Sequence, residues 1–193
     1  DVTIPSGRPN YPEFDETANC NTILVKDGGQ VSIISGGILN VVNDFTLGEG
    51  TTGILNLTNS SLDVSGTFYA DANSDINYND GNSISFGSIN LDNTSDFRYT
   101  GTNQLILNLT YGNLYIENNN TKSITGTSAS PTTCNNLTID SGTLLEIPEN
   151  KALTVTGILF NNAGTTGLLV RSSAIGTGSL IHTTSFVGGT VER

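Results

Sequence analysis

The chain has 193 residues, enough for one well-filled core, and only 13% of them are charged while 35% are hydrophobic. The net charge of −11 comes with seven widely spaced basic residues (Arg8, Lys26, Arg98, Lys122, Lys151, Arg171 and Arg193), so no local basic patch offers itself to nucleic acid, anionic lipid or a polyanionic glycan. No apolar run approaches the roughly 20 residues that span a bilayer, no signal peptide is present, and Gly, Asn, Thr and Ser at low charge density describe a folded chain of short strands and turns rather than a disordered one.

Taken from the start, Asp1-Val-Thr-Ile-Pro5 reads as one strand. Residues 6–19 then show little alternation and hold Pro9 and Pro12, so residues 1–19 are expected to be a strand and a loop that caps the first coil of a solenoid. From residue 20 the dominant signal is apolar residues two apart, closed within a few positions by Gly, Asn, Asp or Ser: Ile23/Val25, Val31/Ile33, Leu62/Val64, Ile76/Tyr78, Ile84/Phe86, Ile89/Leu91, Phe97/Tyr99, Leu105/Leu107/Leu109, Leu114/Ile116, Leu137/Ile139, Leu153/Val155 and Leu168/Val170. No stretch of comparable length shows helical spacing, and essentially no α-helix is expected. Thr190-Val191-Glu192-Arg193 still alternates like a strand, which suggests a piece of a longer polypeptide.

Internal repeats separate a solenoid from a sandwich. Cys20-Asn-Thr-Ile-Leu-Val-Lys-Asp-Gly28 matches Cys134-Asn-Asn-Leu-Thr-Ile-Asp-Ser-Gly142 with its apolar residues and glycine at the same offsets. Leu62-Asp-Val-Ser-Gly66 likewise echoes Leu153-Thr-Val-Thr-Gly157, with Phe68 and Phe160 close behind. The shared grammar of strand, turn and strand gives an all-β fold, a right-handed parallel β-helix of about eight coils at roughly 20–24 residues each, running from residue 20 to 193 as a single domain.

The segments Tyr111-Gly-Asn-Leu-Tyr-Ile, Cys134-Asn-Asn-Leu-Thr-Ile-Asp-Ser-Gly, Leu153-Thr-Val-Thr-Gly, Gly176-Thr-Gly-Ser-Leu-Ile and Gly189-Thr-Val-Glu-Arg, with the opening Asp1-Val-Thr-Ile-Pro, resemble the repetitive, pectin-lyase-like β-helical regions of large secreted proteins of Bacteroidetes. That resemblance implies export, typically by type IX secretion, and an adhesin-like role; it carries over no catalytic or binding residue.

Candidate chemistry is sparse. Cys20 and Cys134 are 114 residues apart, about five coils or roughly 24 Å along the stack, too far for a disulfide, so two free thiols are expected. His182 is the only histidine and is expected to be an exposed strand residue, which leaves no ordinary His/Cys zinc site. The bases nearest to lyase chemistry are Arg98 with Tyr99, and Lys122 with Tyr111 and Tyr115; neither set comes with a carboxylate cluster. Asp71, Asp75, Asp80, Asp92 and Asp96 form the one acidic stretch, where turns of successive coils could converge on calcium, the single cofactor left open. Tyr69 and Tyr115, each beside an inward apolar residue, are the candidates for stacking on a sugar.

The function expected from these features is a non-catalytic module of a secreted or cell-surface bacterial protein, acting as a rigid spacer or adhesin-like segment. Its partners would be surface glycans or other cell-surface proteins, with no nucleic acid and no membrane insertion. A carbohydrate-binding or polysaccharide-cleaving β-helix and a calcium-dependent assembly module remain the alternatives.

Overall fold

The computed structural model describes residues 1–8, 10–185 and 187–192; Pro9 of the expected capping loop and Arg193 of the expected final strand lie outside them. The chain divides into two compact units, Asp1–Phe97 and Arg98–Arg193. Both are built from the same element, a parallel β-solenoid coil, with about nine turns in all where the repeat length suggests eight. Among the described residues the only helical segment is the single 3-10 turn Gly164–Thr166.

In the first unit one parallel sheet runs in the order Val2–Ile4, Ile23–Lys26, Phe45–Glu49, Ser61–Ala70, Ile38–Val41 and Thr17–Cys20, with Ser83–Leu91 beside Ser61–Ala70. The ten-residue strand Ser61–Ala70 pairs with Ile38–Val41 through its first half and with Phe45–Glu49 through its second, so a corner in one coil becomes continuous strand in the next. The second sheet stacks Glu13–Phe14, Gly29–Ile33, Gly53–Leu57 and Asp75–Tyr78 in parallel. Ile33, Leu57 and Tyr78 stand in register at steps of 24 and 21 residues, within the range expected for one coil. Residues 13–20 therefore already belong to the sheets, and the loop expected over 6–19 is shorter than its weak alternation implied.

Alternation decides which side chains fill the interior. The column Ile4, Val25, Leu47 and Ala70 is buried throughout, as is Ile23, Phe45 and Phe68. The rings of Phe45 and Phe68 lie 5.2 Å apart edge to face, and Phe86 approaches Phe68 at 5.1 Å. Each such side chain contributes about 1.5–3 kcal/mol by leaving water. Gly48 is the extra residue of a bulge, because Val25 pairs with Leu47 and Lys26 with Glu49. Its φ of +81° is left-handed and a Cβ there would collide with Ser74 Oγ, so the position admits only glycine.

The second unit repeats the scheme. One sheet stacks Gln104–Ile106, Thr121–Ile124, Leu144–Ile147, Leu168–Val170 and Thr190–Val191; the other stacks Thr110–Ile116, Thr132–Ile139, Ala152–Val155 and Ser179–His182, with Leu159–Asn161 also paired to Thr132–Ile139. Inward columns are Leu114, Leu137 and Leu159, and Tyr111, Cys134, Val155 and His182. The column Gln104, Lys122, Leu145 and Leu168 contains a lysine with 0% exposure whose ammonium donates to the Glu117 carbonyl.

The Leu105/Leu107/Leu109 alternation fails at its first member: Ile106 is buried and Leu105 is 64% exposed, while Leu107 and Leu109 are half-buried. Phe160, read as the counterpart of buried Phe68, is 53% exposed, and Leu159 takes the inward place. Phe160 lies three residues after Gly157 while Phe68 lies two after Gly66, so the true counterpart of Phe68 is Leu159. Leu159 follows inward Val155 by four residues, as Phe68 follows inward Val64, and alternation runs unbroken between them; the phase break is on the facing strand, where Cys134 and Leu137 are both inward and three apart, so two residues face three.

Candidate functional site

The aspartates of the acidic stretch serve turns. Asp71 accepts from the Gly50 amide at 3.0 Å, and Asp92 accepts from the Thr94 hydroxyl at 2.7 Å and its amide at 2.8 Å. Asp75 begins the strand Asp75–Tyr78, Asp96 begins Asp96–Tyr99 and Asp80 lies in a turn; all three make further contacts. Among the described residues no three His, Cys, Asp or Glu side chains converge as a metal would need.

Asp27, which no sequence motif marks, has the same role in another turn: its carboxylate receives the hydroxyls of Thr51 and Thr52 and the Thr52 amide. Hydrogen bonds to the charged form hold the carboxyl groups of both Asp27 and Asp92 below the ordinary 3.8. A folded-state value below the unfolded one gives stability that is present above the unfolded value and lost as pH falls through the folded one. The melting temperature is therefore expected to drop as pH falls below about 4, and Asp27→Asn should flatten part of that drop in a pH series of thermal melts. An unchanged profile would remove the turn carboxylates from the stability account.

The two candidate tyrosines lie in different units and have different surroundings. Tyr69 is half-exposed in an outward row between Thr46 and Asn90. Tyr115 heads the outward row Tyr115, Thr138 and Phe160, but the Arg98 guanidinium lies 3.9 Å from its ring centroid and is held there by Glu117 at 2.9 Å. One face of Tyr115 is thus occupied by a cation. Phe160 at 53%, Ile158 at 51% and Ile181 at 60% exposure are apolar surface residues, outward in the alternation that turns Val155, Leu159 and His182 inward.

The groups considered for lyase chemistry are turned inward or paired. Tyr99 and Tyr111 are buried and their hydroxyls meet at 2.8 Å, Lys122 is buried, and Arg98 is paired with Glu117. Lys26 pairs with Glu49 and Arg171 with both Glu146 and Glu192, so these bases are neutralised one by one.

Both cysteines are free thiols, and burial pushes that of Cys134 up to about 12. His182, expected at the surface, instead follows Val155 in an inward column, half-exposed, with its Nδ1 buried and without a partner among the described residues. It lines a hollow of about 140 Å³ with Leu168, Val170 and Leu180. A larger hollow of about 540 Å³ in the first unit is lined by Asn10, Tyr11, Glu13 and Gln30.

Compared with models of known protein families, with curated proteins and with solved structures, the chain matches none of them. Among the described residues no helix is long and apolar enough to cross a membrane.

Proposed function

We propose that this chain is a non-catalytic module of a secreted or cell-surface bacterial protein, a stiff spacer whose outward turns meet surface glycans or proteins. The observation that supports it best is the side-chain bonding from each coil to the next. Asn43 donates to Asn21 at 2.7 Å and Asn21 to Asp1 at 2.9 Å; Asn77 donates to Asn56 at 2.9 Å and Asn56 to Ser32 at 3.3 Å. In the second unit Asn136 donates to Asn113 at 2.8 Å while its oxygen takes the Ile158 amide at 2.9 Å. Polar side chains that an enzyme would direct into a cleft here tie coil to coil, adding to the main-chain ladders. The likeness of the repeats to the β-helical regions of large secreted Bacteroidetes proteins supports the same reading and the same export.

Force applied between the chain ends tests it. The expected record is discrete unfolding at a force that falls in Asn56→Ala and Asn136→Ala, each bond contributing about 0.5–1.5 kcal/mol. Smooth extension at low force, with no effect of either substitution, would contradict a stiff spacer. Release of unsaturated sugars from a polysaccharide would select the lyase alternative instead.

A further inference from the structure

We infer that the hollow beside residues 10–13 is a binding site for a single neutral sugar residue of a glycan. Ser32 carries the first part of the argument. It points outward, between inward Val31 and Ile33, yet is only 5% exposed. The segment that covers it is tied down: the Ser32 amide donates to the Pro12 carbonyl at 3.1 Å, and the Tyr11 hydroxyl donates to the Gly28 carbonyl at 2.9 Å. Tyr11 therefore presents its ring as a fixed wall, and Glu13 stands in register with Ser32 on the neighbouring strand.

The Gln30 side chain, which lines the hollow, is anchored through Ser32. Gln30 Nε2 donates to Ser32 Oγ at 3.2 Å, and Ser32 Oγ also accepts from Asn56 Nδ2 at 3.3 Å. Asn10, Tyr11, Glu13 and Gln30 line the hollow, with Asn10 and Glu13 exposed and Tyr11 and Gln30 half-buried. The volume of about 540 Å³ falls within the range of small-ligand sites.

Donors and acceptors placed beside one aromatic face suit a ligand with hydroxyls around its rim and C–H bonds on its face, which describes a sugar ring. Glu13 and Gln30 Oε1 take hydroxyl protons, the Asn10 amide supplies donors, and the ring packs on Tyr11. A hard cation needs about six or more oxygens and usually several carboxylates, and Glu13 is the one carboxylate lining the hollow. An acidic sugar would meet that carboxylate with like charge. The site is separable from the spacer role, because a spacer lacking it still unfolds in discrete steps under force and fails to bind sugar.

The test titrates 15N-labelled protein with glucose, galactose, mannose and N-acetylglucosamine, and separately with galacturonate, following the Gln30 and Asn10 side-chain amides and the Tyr11 backbone amide. The expected result is saturable shifts at these positions with at least one neutral sugar, at a Kd of about 1 mM, and weaker binding of galacturonate. Gln30→Ala, a substitution outside the core, should lower affinity about tenfold at an unchanged melting temperature, and Tyr11→Ala at least as much. Absence of saturable shifts with every neutral sugar, equal binding of galacturonate, or undiminished binding by Gln30→Ala would overturn the assignment.

Discussion

Phe68→Ala is expected to destabilise the first unit by about 3–5 kcal/mol, the range for removing a buried aromatic ring from a core that cannot fully close the gap. Phe68 is 1% exposed and its ring is bracketed by Phe45 at 5.2 Å and Phe86 at 5.1 Å. The backbone around it cannot collapse into the space, because its strand is fixed in register with Phe45–Glu49 on one side and Ser83–Leu91 on the other. Urea denaturation followed by circular dichroism reads the effect. The matching change at the other echo position, Phe160→Ala, removes a side chain that is 53% exposed and should cost far less. Equal losses at the two positions would mean that Phe160, and not Leu159, takes the inward place.

Tyr99→Phe is the second large effect, and it comes from stranding a donor rather than from lost volume. Tyr99 is fully buried; its hydroxyl accepts from the Leu107 amide at 2.9 Å, and Tyr111 donates to the Leu107 carbonyl at 2.8 Å. Because the one hydroxyl proton of Tyr111 goes to that carbonyl, Tyr99 is the donor in the 2.8 Å contact between the two hydroxyls. The loop at Leu107 is thereby held by two phenols through a closed cycle. Removing the Tyr99 hydroxyl leaves a half-buried amide without its acceptor and breaks the cycle, at a cost of about 1–3 kcal/mol. Hydrogen exchange at the Leu107 amide should speed up in the variant by the matching factor. A variant with wild-type stability and unchanged exchange would show that the cycle does not form.

Much of the coil architecture was legible because an apolar residue at every second position and a turn residue every few positions leave few alternatives to short stacked strands. The left-handed turn positions also fell where the composition pointed: Asn59, Asn73, Asn103, Asn118, Asn119 and Asn150 all have positive φ. What the pattern could not give was phase across a bulge. Gln104 and Lys122 occupy inward places that a hydrophobicity pattern assigns to solvent, which is why the pattern points to Leu105 where Ile106 is inward. Phe160 stands one residue further from Gly157 than Phe68 does from Gly66, and that single position exchanges the inward place for the outward one. His182 went unrecognised for a related reason, since only the pairing of Val155 with His182 shows it to be inward.

The candidate site was less legible than the fold. Tyr69 and Tyr115 were chosen from alternation, and alternation does not reveal that Arg98 covers one face of Tyr115. The hollow at Tyr11 depends on Pro12 and Tyr11 folding back on Ser32 and Gly28, residues 17 or more positions away in sequence. No local signal in a proline-containing stretch encodes that contact.

Coil-to-coil register is the central claim, and engineered crosslinks test it most directly. Asn56 and Asn77 face outward in register on neighbouring strands of one parallel sheet, where Cα atoms about 4.8 Å apart fall within the reach of a disulfide. With Cys20 and Cys134 replaced by serine and alanine, Asn56→Cys with Asn77→Cys should crosslink on mild oxidation, and Asn56→Cys paired with Asp80→Cys, three residues out of register, should not. Crosslinking of the offset pair in preference to the matched one would contradict the stacked parallel solenoid.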